Sequence, residues 1–184
     1  MCINSCCIIG HRTIEITDKL TRELYKFFEF LILHENVQRF LFGSKSEFDL
    51  LCLKIITELK KKYSFIKRVV YSCRNQGVIL ENEKDFWNKK FSTFFKKEIN
   101  VDAYDEEYEH KTKETSNRAV YVERNIAMID DSDFCVFYYN EQYIPPKRQQ
   151  SKNSLLYQPK SGTKVAYKYA LKKNKTIKNF YEKR

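Results

Sequence analysis

A chain of 184 residues with 42% apolar content is long enough to bury its own core and too apolar for wholesale disorder. No apolar run approaches the roughly 18 residues of a membrane span, and no basic leader precedes Cys6-Cys7-Ile8-Ile9-Gly10, so a cytoplasmic protein without a membrane partner is expected. The net charge of +10 favours anionic partners, but lysines scattered along helix faces make nucleic acid a less favoured one than a nucleotide.

Ser5 to Ile9 is a short apolar run ending in Gly10-His11-Arg12, a strand followed by a tight turn. Thr17 or Asp18 caps the next helix, whose apolar residues Leu20, Leu24, Phe27, Phe28, Leu31 and Ile32 recur at helical spacing. Arg39 to Phe42 is a second strand, closed by Gly43. Ser46 then offers an N-cap, and Phe48, Leu51, Cys52, Ile55, Ile56 and Leu59 form a second amphipathic helix. Ile66 to Tyr71 is a third strand. Two β-α units in series imply a parallel sheet with right-handed crossovers.

Asp85 to Lys97 is predicted as a helix whose aromatic stripe, Phe86, Trp87, Phe91, Phe94 and Phe95, belongs to core packing. Asp102 to Asn117 is polar and turn-like, an acidic surface loop. Helix returns from Arg118 to Ile129, and Phe134 to Tyr138 is a fourth strand. Tyr139 to Lys160, with Pro145-Pro146, is too polar for core, and its length suits a lid over a site. Gly162 opens a last helix with Val165, Ala166, Tyr169 and Ala170 inward, before a final strand from Lys175 to Phe180. The expected fold is α/β: one Rossmann-like three-layer domain over 1–184, with a mostly parallel sheet of about five strands.

Cys2, Cys6, Cys7, Cys52, Cys73 and Cys135 contain no C-x-x-C pair and share no motif with a histidine. They read as reduced structural thiols, and neither a metal nor a cofactor is expected.

In such a sheet ligands bind outside the carboxyl ends of the strands. Three segments leave or face those ends: Gly10-His11-Arg12, Gly43-Ser44-Lys45-Ser46-Glu47-Phe48-Asp49 and Ser161-Gly162-Thr163. Each pairs a glycine, which admits close backbone approach, with a hydroxyl or cationic donor. Two of them precede helices, whose free N–H groups suit phosphate. Singly, each could be a turn and a cap; their convergence favours a phosphate site. His11 and Arg12 are candidate phosphate or ribose contacts, Asp49 a ribose contact or a cap, and Arg124 a site residue or the partner of an exposed acid.

Four blocks in order resemble the SLOG superfamily, in its branch of bacterial proteins related to YpsA and YoqJ. They are Cys7-Ile8-Ile9-Gly10-His11-Arg12, Phe42-Gly43-Ser44-Lys45-Ser46-Glu47-Phe48-Asp49, Val122-Glu123-Arg124-Asn125 through Asp130-Asp131-Ser132-Asp133, and Lys160-Ser161-Gly162-Thr163. The resemblance implies a Rossmann-like fold and a nucleotide-type ligand, with relatives that include the LOG phosphoribohydrolases and the DNA-uptake protein DprA. Glu123-Arg124-Asn125-Ile126-Ala127-Met128 is similar to the LOG E-R-K-x-x-M block, which makes Arg124 the match to a catalytic arginine and Asn125 a departure. In the P-G-G-x-G-T-x-x-E motif the position of the acid is Ala166, whose methyl cannot handle a proton.

Nucleotide binding or sensing is therefore the leading expectation, with ligand contacts from Gly10, His11, Arg12, Gly43, Ser44, Lys45, Phe48, Asp49, Asn125, Ser161, Gly162 and Thr163. The alternatives are a phosphoribohydrolase-like or glycosyl-transferring enzyme, with Glu47, Asp49 or Glu123 replacing the missing acid, and single-stranded nucleic-acid binding. A homodimer is a further expectation, from the relatives' habit and the aromatic-rich third quarter.

Overall fold

The elements alternate along the chain: β1 (Asn4–Gly10), α1 (Asp18–His34), β2 (Val37–Phe42), α2 (Glu47–Lys62), β3 (Lys67–Ser72), a 3-10 turn (Glu81–Glu83), α3 (Lys84–Phe95), β4 (Glu106–Glu109), α4 (Asn117–Asp130), β5 (Phe134–Tyr138), α5 (Gly162–Lys172) and β6 (Thr176–Asn179). The computed structural model describes residues 3–43, 46–73, 77–96, 98, 101–110, 117–143 and 161–182. Its six strands form one sheet, ordered β4-β3-β2-β1-β5-β6, and every pairing is parallel.

The two-residue period of β1 explains the layering. Cys6 and Ile8 point to one face, where Leu24, Phe28, Phe48 and Ile56 of α1 and α2 cover them together with Phe40 and Phe42. Cys7 and Ile9 point to the other, under Met128 and Ile129 of α4 and Ala166 and Ala170 of α5. A central strand covered on both faces needs a continuous apolar run, which is what Cys6-Cys7-Ile8-Ile9 supplies. Hydroxyl caps set the helix starts. Thr17 accepts from the Leu20 amide at 3.1 Å, Ser46 from Asp49 at 3.0 Å and Ser161 from Lys164 at 3.1 Å. Cys6, Cys7, Cys52 and Cys135 are buried free thiols, and Cys73 is buried as well. Among the described residues no helix is long and apolar enough to cross a membrane.

Two expectations are corrected. The acidic stretch read as a loop contains β4, so the sheet has six strands rather than about five. Glu106-Glu107-Tyr108-Glu109 is exposed throughout, so no apolar alternation announces it; it is held by main-chain pairing of Val69 to Ser72 with Glu106 to Glu109. Its glutamates also discourage pairing with another sheet edge. The aromatic stripe of α3, in turn, is not core. No α3 residue is buried, and Phe94 is 79% exposed. The rings pack on one another instead, Trp87 on Phe91 with centroids 5.4 Å apart. Helical spacing finds a helix with one apolar face, but it does not say that the face turns inward.

Beside β4 a buried ion cluster ties the edge to the sheet. Arg68 is 2% exposed, and its Nε and Nη2 donate to the Asp105 carboxylate at 3.0 and 2.9 Å. Its Nη2 also donates to Glu81 at 2.8 Å and its Nη1 to Thr57 at 3.0 Å, while Lys60 lies 3.3 Å from Asp105. Every nitrogen of this guanidinium has an acceptor, so the cluster is structural.

Candidate functional site

Strand order reverses at β1: the chain moves to β2 on one side of it and returns through β5 on the other. The crevice outside the carboxyl ends of β1 and β5 is where an open parallel sheet accepts a ligand. Gly10 pairs with Tyr138 across that point, and Ile8 pairs with Phe42 on the other side. Thr163 donates from Oγ1 to the Gly10 carbonyl at 3.0 Å, which seats the start of α5 on the end of β1. Gly43 and Gly162 therefore lie within about two strand spacings, ~10 Å, of each other.

The glycines serve different ends. At Gly162 a Cβ would meet nothing within 4 Å, and the amides of Gly162 and Thr163 have no acceptor among the described residues. That is an open helix start suited to an anion. At Gly10 a Cβ would sit 2.4 Å from Phe48 Cβ, and at Gly43 one would sit 2.5 Å from Met128 Sδ and 2.7 Å from Arg124 Nε. The close approach expected of a ligand is thus made there by the protein's own side chains. Because Phe48 Cβ is fixed to the α2 backbone, Gly10→Ala is expected to lower stability by about 1–3 kcal/mol in urea denaturation. A loss too small to measure would show that α2 can shift.

The start of α2 departs from expectation as well. Its Glu47 amide donates to the Arg12 carbonyl at 2.9 Å and its Asp49 amide to Ser46, so these donors are already taken. Phe48 is fully buried under Gly10, Asp49 is buried, and Arg12 is exposed. Ser44, Lys45 and most of the candidate lid (144–160) lie outside the described residues.

His11 is not an exposed contact. It is 1% exposed, its Nε2 accepts from the Asn140 amide at 2.8 Å, and its ring stacks on Tyr143 with centroids 3.9 Å apart. Burial pushes its pKa from 6.5 down to about 4, so the ring is neutral near pH 7 and latches the end of β1 to the segment after β5. Between those two values the unfolded chain binds the proton that the folded one refuses. Stability is therefore full above about pH 6.5 and falls as the pH drops towards 4, by up to roughly 3 kcal/mol. Unfolding measured across that range should show the slope, and His11→Gln should flatten it; an unchanged slope would assign it to other groups.

Arg124 is the most informative residue of the edge. It lies on α4 against Gly43 and is 1% exposed. Unlike Arg68, it forms no ion pair among the described residues. Nη2 donates to Asn125 Oδ1 at 3.1 Å, while Nε and Nη1 are buried with no hydrogen-bond partner among the described residues. Burial disfavours its charge, and the nearby Cys73 and Asp49 offset that only in part. The Tyr121 ring, 44% exposed, covers it with its centroid 5.2 Å from the guanidinium carbon. The expected pairing with an exposed acid is absent among the described residues: a desolvated cation waits at the end of β2.

The other acids are engaged or remote. The Glu47 carboxylate accepts from the Ile14 amide at 2.9 Å, and Glu123 lies 4.0 Å from His110. Ala166 is on the buried face of α5, in the core. What the sequence reading missed is the ring-lined groove of about 300 Å³ beyond β5 and β6, bordered by Tyr139, Asn140, Glu141, Tyr167 and Tyr181. Tyr138-Tyr139-Asn140 directly at a strand exit was the available signal. No protein-family model and no curated protein matches this chain.

Proposed function

We propose that this protein binds a nucleotide-type ligand by its phosphate at the carboxyl edge of the sheet and acts as a nucleotide-sensing domain of SLOG type. One observation carries the reading: a fully buried guanidinium with no carboxylate in ion-pair contact among the described residues, set beside the point where strand order reverses. Burying a cation unpaired costs several kcal/mol, and a phosphate that accepts from it recovers that cost. Rotation of the exposed Tyr121 ring opens the way to it. The open amides of Gly162 and Thr163 add donors one strand further along. The residues that resemble SLOG blocks, Gly10, Gly43, Arg124, Asn125 and Thr163, meet at this edge, which favours the same assignment. The alanine at position 166 favours binding without cleavage of the base–ribose bond.

Isothermal titration with AMP, ADP-ribose, NAD and cyclic nucleotides tests the proposal, with Gly162→Asp as the control. An aspartate at the first position of a helix keeps the helix intact. Its carboxylate should weaken phosphate binding about tenfold, the scale of one opposed charge in a partly buried site. Heat from none of the ligands, or release of free base during incubation, would overturn the reading.

A further inference from the structure

The crevice has a chemical polarity along the sheet. At the end of β2 stand Gly43 and the buried Arg124; at the end of β1 are Thr163 and the open amides of α5. Beyond the ends of β5 and β6 the wall changes to rings. Tyr139 stacks on Tyr167 with centroids 4.6 Å apart, and Tyr181 packs edge-on against Tyr138 at 5.7 Å. Tyr139 is nine-tenths buried and lines the groove. The groove floor is set, because Asn179 accepts from the Tyr139 amide at 2.9 Å and donates to its carbonyl at 3.0 Å. A rigid aromatic wall that carries hydroxyls, in a groove of about 300 Å³, fits a planar heterocycle that stacks on it.

From the end of β2 to the groove at the ends of β5 and β6 is two to three strand spacings, ~10–14 Å. That exceeds the base-to-phosphate reach of a nucleoside monophosphate. Building on the phosphate reading above, we infer that the ligand is a nucleoside diphosphate or a longer derivative, with its base in the tyrosine groove, one phosphate at the start of α5 and the next at Arg124. A monophosphate engages the rings and α5 and leaves Arg124 unpaired; inorganic diphosphate engages α5 and Arg124 and leaves the rings empty.

These partial ligands make the test. Isothermal titrations of the full chain with adenosine, AMP, ADP and inorganic diphosphate, repeated with the guanine series, should rank the diphosphate above the monophosphate of the preferred base by about tenfold, the scale of one charge-assisted contact. Tyr167→Leu, which keeps apolar packing against Phe137, should weaken that nucleoside diphosphate roughly tenfold, as loss of one base–aromatic stack does, without changing inorganic diphosphate. Tyr181→Ala, whose ring rests on the surface of Tyr138, guards against misfolding of the first variant. Arg124→Met should weaken both diphosphates and leave nucleoside binding unchanged. If both tyrosine variants keep wild-type nucleotide affinity while Arg124→Met loses inorganic diphosphate, the base assignment falls and the phosphate reading stands. Equal affinity for mono- and diphosphate also overturns this inference, and absence of binding by every nucleotide and by diphosphate overturns both.

Discussion

Arg68→Met should cost about 3–5 kcal/mol of stability, the usual loss when one partner of a buried ion pair is removed. The variant leaves the Asp105 side chain 8% exposed with only Lys60, at 3.3 Å, as a cationic neighbour. It also releases Glu81 and Thr57, so the excursion that carries α3 loses its anchor to β3. For a chain of this size the melting temperature should fall by roughly 6–20 °C. Calorimetry or urea denaturation measures it, and a loss under about 1 kcal/mol would mean that the cluster is solvated in solution.

Arg124→Met should do the reverse. Methionine has a comparable length and no charge to desolvate, so the ligand-free variant is expected to be more stable than wild type by about 1–2 kcal/mol. That figure already allows for the lost Asn125 hydrogen bond, the contact with Tyr121 and the partial offset from Cys73 and the buried Asp49. The same variant should weaken nucleoside-diphosphate binding about tenfold, to the level of the monophosphate. A substitution that raises stability and weakens binding marks a residue kept for its ligand. Thermal melts without ligand, followed by titration, give both readings. A melting temperature several degrees below wild type would place Arg124 with Arg68 as a structural residue.

The contrast between these arginines shows what a sequence carries and what it withholds. Ser46 was legible as a cap, and Thr17 as one of two candidates, because an N-cap works through its immediate neighbours. The apolar runs of β1, β2, β3 and β5 were legible because burial on both faces leaves no choice of composition. β4 was not, since a solvent-facing edge strand is held by main-chain bonds that any residue can make. Nor was the outward face of α3, because its partner, or lack of one, is a tertiary fact. At the site, Gly162 and Thr163 sit where the helix-start pattern put them. The fate of His11 depended on an amide 129 residues away. The state of Arg124 depended on which carboxylates the fold brings near it, and its nearest sequence neighbours say nothing of that.

The proposal that Arg124 is held unpaired for a ligand phosphate is tested most directly by a crystal structure of the protein soaked with a nucleoside diphosphate. A terminal phosphate oxygen is expected about 2.8 Å from Nε or Nη1 of Arg124, with Tyr121 rotated away. Ligand density away from the ends of β1, β2 and β5, or a carboxylate of the chain already paired with that guanidinium, would contradict it.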